Sequence, residues 1–266
     1  MEIEVLVATI NQKNHTLLTK MNIQSDVIVA NQCDFNLVET FTYNNCNVKY
    51  LNFSEHGVGL NRNNALMRAR GDILIFADED EIFNDGYADI VSQAYRTIPD
   101  ADAIIFNVAT IGAISQRREI KTIQRIHLLN ALTYGTARLT VKKDIVERKN
   151  IMFHRQFGGG TIYSSGEDTL FIADLIRRGA KVYVYPACIA GVEERKSTWF
   201  EGYTEKYFYD KGALFAALSK KWGWLLCKLV LLKNRKKFFK GDITYRQGKK
   251  LAKAGITGLT SFNHLS

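Results

Sequence analysis

Proline is nearly missing from this 266-residue sequence, with Pro99 and Pro186 the two examples. Without Pro- or Ser-rich stretches, a string of domains on long extended linkers is excluded. Cysteine is sparse too: Cys33, Cys46, Cys188 and Cys227 form no CxxC pair and no metal-ligand spacing with histidine. The opening MEIEVLVATI runs into an apolar strand with no basic segment before it. The expectation is a reduced, cytoplasmic protein. Long apolar runs are also lacking. The best, Trp222 to Leu232, has 11 residues and is interrupted by Lys228, against the roughly 18–20 needed to span a bilayer. No GxGxxG follows the first apolar strand and no P-loop motif occurs, which argues against dinucleotide and P-loop folds.

What is present is globular. Hydrophobic residues at 46% and charged residues at 24% exclude disordered, collagen-like and coiled-coil chains. The length suits one large domain, or one domain with an appendage. The net charge of +9 is unevenly placed. Residues 211–266 hold 13 Lys and Arg against the single acid Asp242, a net of +12, while residues 1–210 carry a net of −3. A mildly acidic body with a basic end predicts an anionic partner for that end, either nucleic acid or membrane lipid.

The body alternates strands and helices. Glu4–Thr9, Asp26–Asn31, Val48–Phe53, Asp72–Ala77 and Ala103–Val108 are short apolar runs bounded by turn residues. Runs apolar on both faces suit buried, mostly parallel strands. Helical patterns cover His15–Met21, Leu60–Arg70 and Gly86–Ile98, the last stopped by Pro99. This order implies a doubly wound α/β sheet, with ligands beyond the carboxyl ends of the strands. Chemistry is therefore sought just after Thr9, Asn31, Phe53 and Ala77.

After Ala77 stand four consecutive acids, Asp78, Glu79, Asp80 and Glu81. Continued extended alternation puts Asp78 and Asp80 on one side, able to share a cation. Mg²⁺ or Mn²⁺ held by one or two carboxylates plus substrate phosphates would relieve their repulsion. A solvated acidic turn is the plain alternative; the position at the ligand edge favours the metal. A second pair, Glu167 and Asp168, follows the glycine-rich stretch Phe157–Gly166 and opens a helical pattern, Thr169–Arg178, before a strand at Lys181–Tyr185. Acids there cap a helix dipole. The same dipole keeps a carboxylate ionised, as a general base requires. Spacing alone leaves both roles open.

Together these motifs resemble the family 2 glycosyltransferases, inverting enzymes of the GT-A fold found in bacterial surface-polysaccharide synthesis, over about residues 3–200. The first strand ending at Thr9, Ile10 and Asn11 resembles the family's nucleotide-binding opening. Gly59 to Leu66, with Arg62 and Asn63, resembles the segment near the diphosphate. Ile75 to Glu81 resembles the strand ending in Asp-x-Asp, and Gly166, Glu167, Asp168 the family's Glu-Asp pair. The resemblance implies Asp80 as metal ligand, Asp78 as ribose or metal contact, and Asp168 beside Glu167 as catalytic base. It also implies Mn²⁺ or Mg²⁺, a nucleotide-sugar donor, expected to be a UDP-sugar, and a saccharide or lipid-linked saccharide acceptor. Thr9, Asn11, Asn31, Arg62, Asn63 and Asp78 would bind the donor. Two departures stand out. After strand two the chain reads Asn31, Gln32, Cys33, Asp34 rather than Asp-rich text. Where many members carry a histidine ligand it has Glu193 and Glu194 before Ser197 and Thr198, so either glutamate is a candidate replacement.

These expectations divide the chain into a GT-A domain, residues 1–200, and a helical basic region, residues 201–266. In the latter, Trp222, Leu225, Leu226 and Leu229 share a face at 100° per residue, with Trp224 and Leu231 opposite. Tryptophans between lysine clusters suit an interfacial helix on anionic lipid, with residues 211–253 touching the inner face of the membrane. The alternatives are a core helix packed on the body, and a nucleic-acid surface. The latter is disfavoured because the aromatics lie inside apolar runs. A nucleotidyltransferase and a non-catalytic sugar-nucleotide- or membrane-binding protein are the competing functions.

Overall fold

The structure is a computed structural model that describes residues 1–111, 119–193 and 202–262. From the N-terminus come β1 (Ile3–Ile10), α1 (Thr16–Lys20), β2 (Asp26–Gln32), β3 (Leu37–Tyr43), β4 (Cys46–Phe53) and α2 (Val58–Leu66). Then follow β5 (Ile73–Asp78), β6 (Glu81–Phe83), α3 (Tyr87–Thr97) and β7 (Ala103–Ile111). β8 (Gln124–Arg125), α4 (Leu128–Ala131), a 3-10 turn (Thr136–Arg138), β9 (Leu139–Lys142), α5 (Lys143–Arg148), α6 (Glu167–Arg177) and β10 (Val182–Glu193) complete the body. The basic end forms α7 (Glu205–Leu218), α8 (Gly223–Lys233), α9 (Arg235–Phe238) and α10 (Tyr245–Phe262).

One sheet runs β3-β4-β2-β1-β5-β9-β7-β10-β6, with β8 paired to β10. β4, β2, β1 and β5 are mutually parallel, as are β7 and β10. Between these blocks β9 runs antiparallel to both β5 and β7. The expected α/β sheet is present, with more antiparallel pairing than foreseen. β3, β6, β8 and β9 carry no strong sequence signal: β3 is a half-exposed strand at one end of the sheet, and the others are two to four residues long.

Strand alternation divides the core between the two sheet faces. Val5, Val7, Ile73, Ile75 and Ala77 face a layer with α1 and α3, where Leu17, Leu18, Val91 and Tyr95 are buried. Leu6, Leu74 and Phe76 face α2, α5 and α6 through Leu66, Val146, Phe171 and Leu175. Phe153 stacks on Phe171 at 4.1 Å, and Phe76 meets both rings edge-on. Truncating one such ring costs about 3–5 kcal/mol, and this cluster lies directly under the segment that carries Arg62.

A third core joins the basic end to the body. Phe157, Tyr163, Leu170 and Ala173 pack with Phe208, Leu214, Phe215, Cys227, Leu231 and Leu259. The C-terminal helices thus bury an apolar face against α6 and the glycine-rich loop. The expected division at residues 200 and 201 lies outside the described residues, as do Glu194, Ser197 and Thr198.

Candidate active site

Sheet register lines up the polar residues at the carboxyl edge. Thr9 pairs with Asn31, Asn31 with Asn52, and Ala8 with Asp78. Buried polar groups must be bonded, and these are. The Asn31 amide donates to Asn52 Oδ1 at 2.7 Å and to the Gln12 carbonyl at 3.1 Å, while its Oδ1 accepts from the Gln12 amide at 3.0 Å. Thr9 donates to Glu79, and Gln12 Nε2 reaches Glu79 Oε2 at 3.0 Å. Thr9 and Asn31 therefore build the edge as a rigid network. Asn11 sits exposed on it with φ +55°, a left-handed conformation that asparagine tolerates better than most residues.

The four acids do not alternate as expected. Extended structure ends at Asp78, Glu79 and Asp80 form a turn, and Glu81 re-enters the sheet as the buried start of β6. A reversal at residue 79 sends neighbouring carboxylates in different directions. Glu79 goes to Thr9 and Gln12, and Glu81 Oε1 accepts from the Asp78 amide at 3.2 Å.

The centre of the site is Arg62, on α2 with its side chain 5% exposed. Its Nη2 donates to Asp78 Oδ1 at 2.7 Å, and its Nη1 to Asp168 Oδ1 at 2.7 Å and Glu167 Oε1 at 3.3 Å. Its guanidinium also lies 5.4 Å from the Phe153 ring centroid. One buried cation thus draws the end of β5 and the start of α6 together. Burial disfavours the Arg62 charge, but the three carboxylates outweigh it and hold the guanidinium charged above its ordinary range. Three carboxylates on one guanidinium leave excess negative charge. Part of it is relieved by a proton: burial first, then the Asp168 charge, push Glu167 up to about 7 against the pull of Arg62.

Asp168 is better supported and more open, 30% exposed against 13% for Glu167. Its Oδ1 accepts from Arg62 and also from Thr136 Oγ1, on the 3-10 turn before β9. Its Oδ2 lies toward Gly135, where a Cβ would come within 3.1 Å. Glu167 has an equally tight neighbour. At Gly158, with φ +105°, a Cβ would lie 2.8 Å from the Glu167 carboxyl carbon and 2.5 Å from Val58. A side chain there meets both a left-handed backbone and a clash, which is the physical use of the glycine-rich stretch.

The structure therefore joins Arg62, Asp78, Glu167 and Asp168 and places Thr9 and Asn31 beside them. Asn63 serves elsewhere: its amide donates to the Phe153 carbonyl at 2.9 Å and accepts from the Phe153 amide at 2.8 Å. It clamps the loop under Arg62 rather than facing the site. Glu193 closes β10, while Glu194 is outside the described residues. Among the described residues no three His, Cys, Asp or Glu side chains are grouped to hold a metal. Thr136, Gln12 and Glu79 were not anticipated as site residues. Thr136 lies in no motif and reaches Asp168 by tertiary folding alone.

The architecture matches solved enzyme structures. S. aureus TarS residues 1–349 in complex with UDP-GlcNAc aligns with a TM-score of 0.67 and 17% identity, covering 95% of this chain and 79% of that one. The same TarS fragment with UDP gives 0.63 and 16%, covering 100% and 92%. Another TarS structure gives 0.58 and 16%, with 97% of this chain and 43% of that one covered. At such identity the likeness is one of fold, and the fold is the GT-A architecture of glycosyltransferases. Residues 27–157 match the family model described as glycosyl transferase family 2. The matched segment is just under half of the chain, and together with the shared fold it supports a glycosyltransferase enzyme. The nucleotidyltransferase and non-catalytic alternatives are set aside. Comparison with curated proteins finds no match.

Proposed function

We propose that this chain is a metal-dependent, inverting glycosyltransferase that moves a sugar from a UDP-sugar to a hydroxyl of a saccharide or lipid-linked saccharide. The expected setting is capsule, exopolysaccharide or O-antigen synthesis, at the cytoplasmic face of the membrane with residues 211–253 toward anionic lipid. The observation that carries the transfer chemistry is Asp168, at the start of α6, with one oxygen held by Arg62 and Thr136 and the other toward Gly135. TarS, which shares the fold, has been solved with UDP-GlcNAc and with UDP, and this supports a uridine nucleotide as the donor.

In this reading Asp168 Oδ2 takes the proton of the acceptor hydroxyl as its oxygen attacks the anomeric carbon. The carbon–oxygen bond to the diphosphate breaks on the opposite face, so the anomeric centre inverts. Arg62 and Thr136 keep Oδ1 occupied, which orients the carboxylate and leaves Oδ2 for the acceptor proton. Asp78 and Asp80, at the end of β5 and in the turn after it, fit a hard divalent cation that takes few protein carboxylates and completes its shell with phosphate oxygens and water. When bound, such a cation offsets charge developing on the leaving diphosphate.

Thermal-shift titration with UDP and UDP-sugars in the presence of Mn²⁺ tests the donor, since ligand binding raises Tm by mass action. A Tm unmoved by every nucleotide would overturn the reading. Asp168→Asn should keep that shift while transfer falls about 10²–10⁴-fold. Near-wild-type turnover would place the base elsewhere.

A further inference from the structure

The basic end resolves into buried and exposed helices, and α8 differs from its neighbours. It is apolar nearly all round, GWLLCKLVLLK, yet packs by one stripe. Gly223, Cys227 and Leu231, spaced four apart, are buried against the third core. Gly223 permits the contact, because a Cβ there would lie 2.4 Å from the Phe215 carbonyl oxygen on α7. Leu226 and Val230 pack partly on the same side. This corrects the expected face in one residue, since Leu226 packs on the inward side; Leu231, expected opposite that face, is fully covered.

The opposite side stays bare. Trp222, Leu225, Leu229 and Leu232 are 46–54% exposed, while Trp224, on the flank beside Leu231, is 37% exposed. At 100° per residue Trp222, Leu225, Leu229 and Leu232 fall on one stripe. Large apolar side chains scattered singly on a surface need no explanation, but several on one helix face mark an interaction site. The charge around the stripe names the partner. Lys220, Lys221, Lys228, Lys233, Arg235, Lys236 and Lys237 are all exposed, and no aspartate or glutamate occurs between Lys211 and Gly241. The Lys221 ammonium lies 5.3 Å over the Trp222 ring, at the junction of charge and apolar surface.

We propose that α8 is a docking helix whose Trp222, Leu225, Leu229 and Leu232 stripe enters the headgroup region of an anionic membrane while the flanking lysines engage lipid phosphates. An apolar stripe bordered by cations has the chemistry of an interfacial helix. An acidic protein partner would satisfy the lysines but not the width of bare leucine and tryptophan between them. The proposal deepens the membrane-side reading of residues 211–253 and rests on it. It gives a physical reason for a lipid-linked acceptor: α7, on which α8 packs, also contacts the loop leading to Glu167, since Ser164 donates to Asp210 Oδ2 at 2.9 Å through its amide and at 2.7 Å through its hydroxyl.

Co-sedimentation of the full chain with vesicles tests this. Mixed phosphatidylcholine–phosphatidylglycerol vesicles should bind it and phosphatidylcholine alone should not. Leu225→Glu or Leu229→Glu should weaken binding on the order of tenfold or more. Lys221→Gln with Lys228→Gln should weaken it about fivefold per lysine removed. All four positions are exposed, so these variants should keep the UDP–Mn²⁺ thermal shift, which reports folding independently. A wild type that ignores the mixed vesicles, or leucine variants that bind like wild type, would overturn the proposal. So would lipid-free self-association of the wild type that Leu229→Glu abolishes without changing vesicle binding, because the stripe would then face a second copy. Loss of the nucleotide shift with vesicle binding intact would sink the donor reading and leave the docking helix standing.

Discussion

Replacing Glu167 by glutamine removes a charge that the fold disfavours. In the native protein burial and the adjacent Asp168 push this carboxyl from an ordinary 4.5 up to about 7, with Arg62 opposing. Because the folded state holds the proton more tightly than the unfolded chain does, the associated stability is complete below pH 4.5. It is lost as pH rises through 7. Each pKa unit corresponds to about 1.4 kcal/mol, so the wild type should lose about 2–3 kcal/mol from this group between pH 5 and pH 8. Glu167→Gln cannot ionise and lacks that loss, while its amide oxygen can still accept from Arg62. Urea unfolding of both proteins at the two pH values isolates the effect, because the other titrating groups are common to both. The mutant should gain on the wild type at pH 8 by that amount. A stability difference independent of pH would show that Glu167 ionises normally, and the description of an overcharged cluster on Arg62 would be wrong.

Two further tests probe the same site. Thr136→Ala should lower kcat by roughly tenfold with little change in KM, because the threonine orients Asp168 rather than binding donor. Thr136→Ser should restore it, and an unchanged kcat in the alanine variant would remove the positioning role. Asp80→Ala should abolish Mn²⁺-dependent nucleotide binding by calorimetry while leaving the ligand-free Tm near wild type. Unaltered Mn²⁺ dependence would take Asp80 out of the metal site.

Much of this was legible along the chain because the signals are local. Buried parallel strands need apolar runs on both faces, so β1, β2, β4, β5 and β7 announced themselves to within one or two residues, except that β7 runs three residues further. The acids after β5 and at the start of α6 stood out because carboxylates are costly to crowd unless something uses them. β9 was not legible: four residues, LTVK, become a central strand because β5 and β7 leave a gap that their backbone fills. Nor was the true function of Asn63, which depends on the distant Phe153 backbone.

Composition, strand order and the motif residues by themselves determined the α/β class, the glycosyltransferase resemblance and the split between an acidic body and a basic end. These follow from periodicity and charge, which are properties of a line. Tertiary structure decided which acids act together. Arg62 can join Asp78 to Glu167 and Asp168, more than a hundred residues apart from it in the latter case, only because β5 and α6 converge on α2. It also decided which side of α8 is bare, since a helix apolar all round reveals its free face only once a partner such as α7 covers the other.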